Sequence, residues 1–141
     1  MKIVINKCYG GFGLSVKGLL WLYDKGYKDN LCEAREYYGL DRPDGEKRLK
    51  ADLKKWEKYR IGKMTQNDFY PIFTPDQKYV IMDRLDFDRS SPLLIECIET
   101  LGIEVNGWAA KLVIIDIPDN IEYEIDDYDG IESIHEKHRS W

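Results

Sequence analysis

Two stretches of the sequence carry residue types that can do chemistry. The first is Lys7-Cys8-Tyr9-Gly10-Gly11-Phe12-Gly13, which follows the apolar run Ile3-Val4-Ile5. Backbone N–H groups between a strand and a helix converge on one point, and glycines let a phosphate approach closely, so this loop is a candidate anion site. Tyr9 and Phe12 flank the glycines, and an aromatic face suits stacking on a nucleobase. The second stretch is the end of the sequence, His135-Glu136-Lys137-His138-Arg139-Ser140-Trp141. It offers a guanidinium for a planar phosphate fork, an indole for stacking and two imidazoles for proton transfer. Arg89 is a third source of a phosphate fork. Lys7, Tyr9, Gly10, Gly11, Phe12, Arg89, His138, Arg139 and Trp141 together make the expected ligand site. That site requires the tail to fold back beside the glycine loop.

Several more specific chemistries fail at named positions. The loop has neither Gly-x-x-x-x-Gly-Lys-Ser/Thr nor Gly-x-Gly-x-x-Gly. A cysteine phosphatase needs an arginine six residues after its nucleophile, and six beyond Cys8 stands Leu14. Aligning Gly130 with the glycine of a calcium loop puts Ile125 at the first ligand position, so calcium binding is not expected. Asp86 and Asp88 would share the wet face of a strand. His135, His138 and Glu132 are spaced to meet on a helix, whereas on a strand the two histidines would point apart. No metal and no cofactor is therefore expected. No nucleophile, base and orienter set is complete, so the residues favour binding over catalysis. A hydrolase using His135 or His138 is the enzymatic alternative.

The elements that must position these residues follow from periodicity. Residues 2–6 read as a strand covered on both faces. Ser15 is placed to cap a helix with Val16, Leu19, Leu20 and Tyr23 on one face, ended by Gly26. A short helix over 31–38 is expected, capped by Asp29 or Asn30 and stopped by Gly39. After a Pro43-Asp44-Gly45 turn, Leu49, Leu53 and Trp56 mark an amphipathic basic helix. Lys54, Lys55, Lys58 and Arg60 beside Trp56 and Tyr59 could contact phosphates, but a solvated face with Trp56 inward is the simpler reading. Residues 64–77 read as an irregular connection and 79–87 as a half-exposed strand. Ser91 as cap, Pro92 at the first turn and Gly102 beyond the end frame the clearest helix. Residues 111–117 form a second covered strand ending at Pro118, and Ile121, Tyr123 and Ile125 alternate with acids up to an Asp129-Gly130 hairpin turn. These elements predict a single α+β domain over residues 1–141, with α/β as the alternative, built on a mixed sheet with a C-terminal hairpin.

With 141 residues the chain can bury a core without disulfides, and the three scattered cysteines suggest neither a disulfide framework nor a zinc ribbon. The apolar runs are too short for a signal peptide or a membrane span, so a cytoplasmic protein is expected. The net charge of −5 argues against a double-stranded nucleic acid partner. Its distribution is uneven: residues 42–63 hold nine Lys or Arg against four acids, while residues 116–136 hold nine acids and no Lys or Arg. Opposite regions of this kind suit docking between copies, and a homo-oligomer is expected on that ground.

"KIVINKCYGGFGLS" and "IPDNIEYEIDDYDGIESIHEKHRSW", joined by "DFDRSSPLLIECIETLG" and "NGWAAKLVIIDIP", resemble a family of small, mostly uncharacterised phage and prophage proteins. Members share a Lys-Cys-Tyr-Gly-Gly-Phe start and a Tyr-Asp-Gly…Glu-Lys-His-Arg-x-Trp end. The resemblance covers about the first 26 and last 63 residues and leaves residues 27–77 aside. The family commonly has an acid before the proline of the central helix, where this chain has Ser91. The resemblance implies an accessory protein acting in a bacterial cytoplasm. Small phage accessory proteins often counter host defence, some by sequestering signal nucleotides, and a nucleotide-like small molecule is the expected partner. A host-protein interaction module docking through the acidic hairpin is the remaining alternative.

Overall fold

The computed structural model describes residues 1–65, 71–82 and 87–137. In chain order the elements are β1 (Lys2–Asn6), α1 (Val16–Asp24), β2 (Leu31–Glu33), α2 (Ala34–Tyr38), α3 (Gly45–Arg60), β3 (Ile72–Phe73), β4 (Tyr79–Ile81), α4 (Pro92–Leu101), a 3-10 turn (Gly102–Val105), β5 (Leu112–Asp116), β6 (Tyr123–Tyr128) and β7 (Ile131–Glu136). The α+β class and the C-terminal hairpin are as the sequence predicts. The strands form three small sheets, paired antiparallel throughout. The chain folds as two compact units, one of Met1–Tyr27 with Leu85–Trp141 and one of Lys28–Arg84. Among the described residues no helix is long and apolar enough to cross a membrane.

In the first unit β1 pairs with β5 from Lys2↔Asp116 to Asn6↔Leu112. Ile3, Val4 and Ile5 are almost wholly buried, as a strand covered on both faces requires. Helices α1 and α4 pack against each other, and α4 also covers β1 and β5. Ser15 caps α1 by accepting the Gly18 N–H at 3.0 Å, and its hydroxyl donates to the Glu104 carbonyl at 2.6 Å. Gly18 is small where it must be, since a Cβ there would lie 3.1 Å from Val105. Ser91 caps α4 with Pro92 in its first turn, and Gly102 ends it with φ of +60°. The hairpin turns at Asp129 and Gly130, both left-handed, while Asp127 Oδ1 accepts the Gly130 N–H.

The second unit corrects three expectations. Residues 31–33 are strand, not helix, because β4 is the central strand of its sheet and pairs with both β2 and β3. Helix α2 therefore starts at Ala34 with no side-chain cap, although Gly39 stops it in the left-handed region as expected. The supposedly irregular segment contains β3, whose Ile72 and Phe73 are fully buried. Val80 and Ile81 are both buried as well, so β4 has no wet face, and the expected alternation gives way to coverage on both sides. Asp83 and Asp86 lie outside the described residues. The ring of Tyr38 stacks on Phe73 at 6.1 Å and its hydroxyl donates to Asp52, which joins α2 to β3 and α3. Along α3, Leu49, Leu53 and Trp56 are half-buried while Lys54, Lys55, Lys58 and Arg60 are exposed.

All three cysteines are free thiols, and burial within α4 pushes the Cys97 thiol up to about 12. Only a thiolate attacks a disulfide reagent at a useful rate. Cys97 should therefore react with a chromogenic disulfide only after unfolding, while the half-buried Cys8 and Cys32 are reached in the native protein. Three thiols reacting at one native rate would contradict this packing.

Candidate functional site

The glycine loop leaves β1 at Asn6, a fully buried residue whose amide has no spare hydrogen-bonding capacity. Its Nδ2 donates to the carbonyls of Cys8 and Gly130, both at 2.6 Å, and its Oδ1 accepts the N–H groups of Cys8 at 3.2 Å and Lys111 at 2.8 Å. Within the loop, Gly10 N–H donates to Ala109 O at 2.9 Å and Gly11 N–H to Cys8 O at 3.3 Å. The glycines make room for protein, since a Cβ on Gly10 would fall 2.4 Å from Ala109 atoms. From the other side, a Cβ on Gly130 would fall 2.2 Å from the Tyr9 carbonyl oxygen and 2.7 Å from the Gly11 nitrogen. The hairpin turn thus seats directly on the loop. The amides expected to cradle an anion at Cys8, Gly10 and Gly11 are spent on the fold.

Arg89 is similarly committed. It forms a bidentate pair with Glu132, Nη1 to Oε1 at 2.6 Å and Nη2 to Oε2 at 2.9 Å, with the side chains only 10% and 5% exposed. Nη1 also donates to the Val4 carbonyl, the guanidinium lies 3.7 Å from the Phe12 ring centroid, and Glu132 Oε1 accepts the Asn6 N–H at 2.8 Å. Freeing Arg89 for a phosphate would leave Glu132 buried and unpaired. Removing one partner of such a pair costs ~3–5 kcal/mol, against ~1.5–3 kcal/mol for a hydrogen bond to a charged group. The pair wins, so Arg89 is a structural tie, and Phe12 beneath it is buried and unavailable for stacking. Both residues of the expected site are thus held within the fold.

Of the other expected residues, Tyr9 is 68% exposed, and Lys7 is exposed while its Nζ donates to the Glu132 carbonyl. His138, Arg139 and Trp141 lie outside the described residues. The chain reaches Lys137 at the opposite end of β7 from Gly130, a strand length on the order of 20 Å from the loop. What meets the glycine loop is the hairpin turn.

Uncommitted charge is found instead in the second unit. A cavity of about 640 Å³ lies between α2, the turn over 39–44 and the start of α3. Arg35, Arg42 and Arg48 line it, and among the described residues none of the three has an ion-pair partner. Gly45 lets the start of α3 approach the end of α2, because a Cβ there would lie 2.4 Å from the Gly39 carbonyl oxygen. Arg42 N–H donates to that same carbonyl at 2.8 Å. Tyr37 packs edge-on against Tyr38 at 4.9 Å, and Arg48 lies 5.9 Å from the Tyr38 ring centroid. Burial, reinforced by the bond to Asp52, pushes the Tyr38 hydroxyl far up, so it stays protonated and serves as an anchor. Glu33, Glu36, Asp41 and Asp44 line the remaining wall. The sequence showed the basic residues but not that three separate arginines would converge across a helix pair.

No family model, curated protein or solved structure matches the chain. The chemistry of the side chains is thus the ground for assigning roles.

If Arg89 is a tie and not a ligand, Arg89→Ala should lower unfolding stability by ~3–5 kcal/mol in urea titration, with Glu132→Gln losing a comparable amount. The double variant Arg89→Ala, Glu132→Ala should lose less than the two single changes summed. Additive losses would show that the two groups do not act together.

Proposed function

We propose that the protein is a binding protein that takes a nucleotide-like anionic small molecule in the arginine-lined cleft between α2 and α3, holding it intact. The observation that carries this reading is the convergence of Arg35, Arg42 and Arg48 without ion-pair partners among the described residues. Guanidinium groups supply planar forks for phosphate, and Tyr37 beside them offers an aromatic face. The carboxylates of Glu33, Glu36, Asp41 and Asp44 suit the donor groups of such a ligand, its sugar hydroxyls and exocyclic amines. A bare polyphosphate would be repelled by them. A ligand with an anionic end and a donor-rich end fits the mixed lining. The resemblance to phage accessory proteins makes sequestration of a host signal nucleotide the biological form of this proposal, acting in the host cytoplasm.

A second reading, docking on a host protein, is favoured by three exposed aromatic residues on segments that meet at the glycine loop. Tyr9, Trp108 and Tyr128 are 68%, 71% and 85% exposed beside the acidic hairpin. Tyr and Trp are enriched at binding surfaces.

The test is incubation of the purified protein with a defined mixture of ATP, ADP-ribose and cyclic dinucleotides, followed by mass spectrometry of what is retained. An intact nucleotide should be recovered, with retention falling at least about tenfold in Arg42→Ala and Arg48→Ala. Recovery of a cleaved product would make the protein an enzyme. Unchanged retention in both variants would move the site elsewhere, and a stoichiometric protein partner lost in Trp108→Ala would favour docking.

A further inference from the structure

The outer face of the C-terminal hairpin holds a second cluster that takes no part in the cleft. Antiparallel pairing sets Glu124 opposite His135 and Asp126 opposite Ser133, so Glu124, Asp126 and His135 all project from the same side. The other side of β7 carries Glu132, which is buried in the tie to Arg89. His135 Nε2 lies 3.1 Å from Glu124 Oε1 and 3.0 Å from Asp126 Oδ2. One ring nitrogen therefore faces two carboxylate oxygens, and the three donor atoms lie within 4.8 Å of one another.

The ring nitrogen hydrogen-bonds to Glu124 and makes only an ion-pair contact with Asp126, whereas a metal ion can accept all three donors. Metal–ligand bonds of ~2.0–2.1 Å put neighbouring donors roughly 2.8–3.4 Å apart in octahedral or tetrahedral geometry. The two distances from His135 Nε2 fall in that range, and the two carboxylate oxygens lie within 4.8 Å of each other, close enough for a side-chain rotation to bring all three onto one ion. The side chains are 41–64% exposed, which leaves the remaining coordination positions open to water.

We propose that Glu124, Asp126 and His135 form a binding site for a divalent first-row transition ion of the zinc class. One imidazole nitrogen and two carboxylate oxygens suit a borderline ion, and the nitrogen discriminates against calcium and magnesium, which prefer oxygen throughout. The sequence pattern hides this set because helical spacing pairs His135 with Glu132 and His138. As β7 is a strand, Glu132 faces the other way and the partners come from β6.

The test is titration of the full chain with Zn²⁺, followed by isothermal calorimetry and by NMR of the His135 ring. One site per chain should saturate, the His135 ring resonances should shift with it, and His135→Ala or Glu124→Gln should weaken that site by about tenfold or more. Mg²⁺ at the same concentration should leave the ring resonances unmoved. Failure of Zn²⁺ to bind, binding that leaves the His135 ring unperturbed, or affinity unchanged in both variants would each overturn the proposal. The exposed positions of these residues make the variants safe for the fold, and circular dichroism checks that.

Discussion

The buried pair between Arg89 and Glu132 is the interaction on which the first unit depends. It joins the segment leading into α4, the second strand of the hairpin and, through the Val4 carbonyl and the Asn6 N–H, the strand β1. Asn6 completes the lock by tying the glycine loop, the start of β5 and the hairpin turn to one side-chain amide. A pair this buried need not add net stability relative to an apolar core, but every member must keep its partner. The geometry meets that condition at each charged atom, so a polar knot stands where a small sheet of two strands could not supply enough apolar area by itself.

This knot explains which parts of the chain the sequence makes legible. Caps and stops are local, and Ser15, Ser91, Gly39 and the Asp129-Gly130 turn do what their types and positions indicate. The covered strand at β1 is an equally local signal, whereas burial along β6 grades from half-buried at Tyr123 to exposed at Tyr128 and does not follow the expected alternation. Residues 31–33 are different, since only a partner strand 48 positions on makes them extended. The glycine loop misleads for a related reason. Glycine permits close approach by any oxygen-bearing group, and here the approaching groups are Ala109 and the Tyr9 to Gly130 contact, not a phosphate. Asn6 does not stand out in the sequence and Glu132 does so only as a metal candidate, because a hydrogen-bond hub is defined by what surrounds it.

The same reasoning separates structural cations from recognition cations. Arg89 is buried, bidentate and stacked on Phe12, so its charge is neutralised and invisible from outside. Arg35 and Arg42 are exposed and carry no ion pair among the described residues, so their charge is open to solvent and to whatever anion reaches the cleft. The basic stretch belongs to the second unit and the acidic stretch to the first, so the net charge of the chain describes neither surface.

Register connects the knot to the outer face of the hairpin. A slip of one residue in a strand exchanges its two faces, and would bring Ser133 or Ile131 inward in place of Glu132. The two-residue turn at Asp129 and Gly130 resists such a slip from one end, because only a left-handed pair closes it without splaying the strands. Glu132 resists it from within, since leaving Arg89 without a counter-charge costs several times the ~0.2–1 kcal/mol that a cross-strand pair on the wet face contributes. The arrangement of Glu124, Asp126 and His135 is therefore set by contacts on the opposite face. The three share one face of the hairpin because Glu132, on the other, holds the register through its buried pair with Arg89.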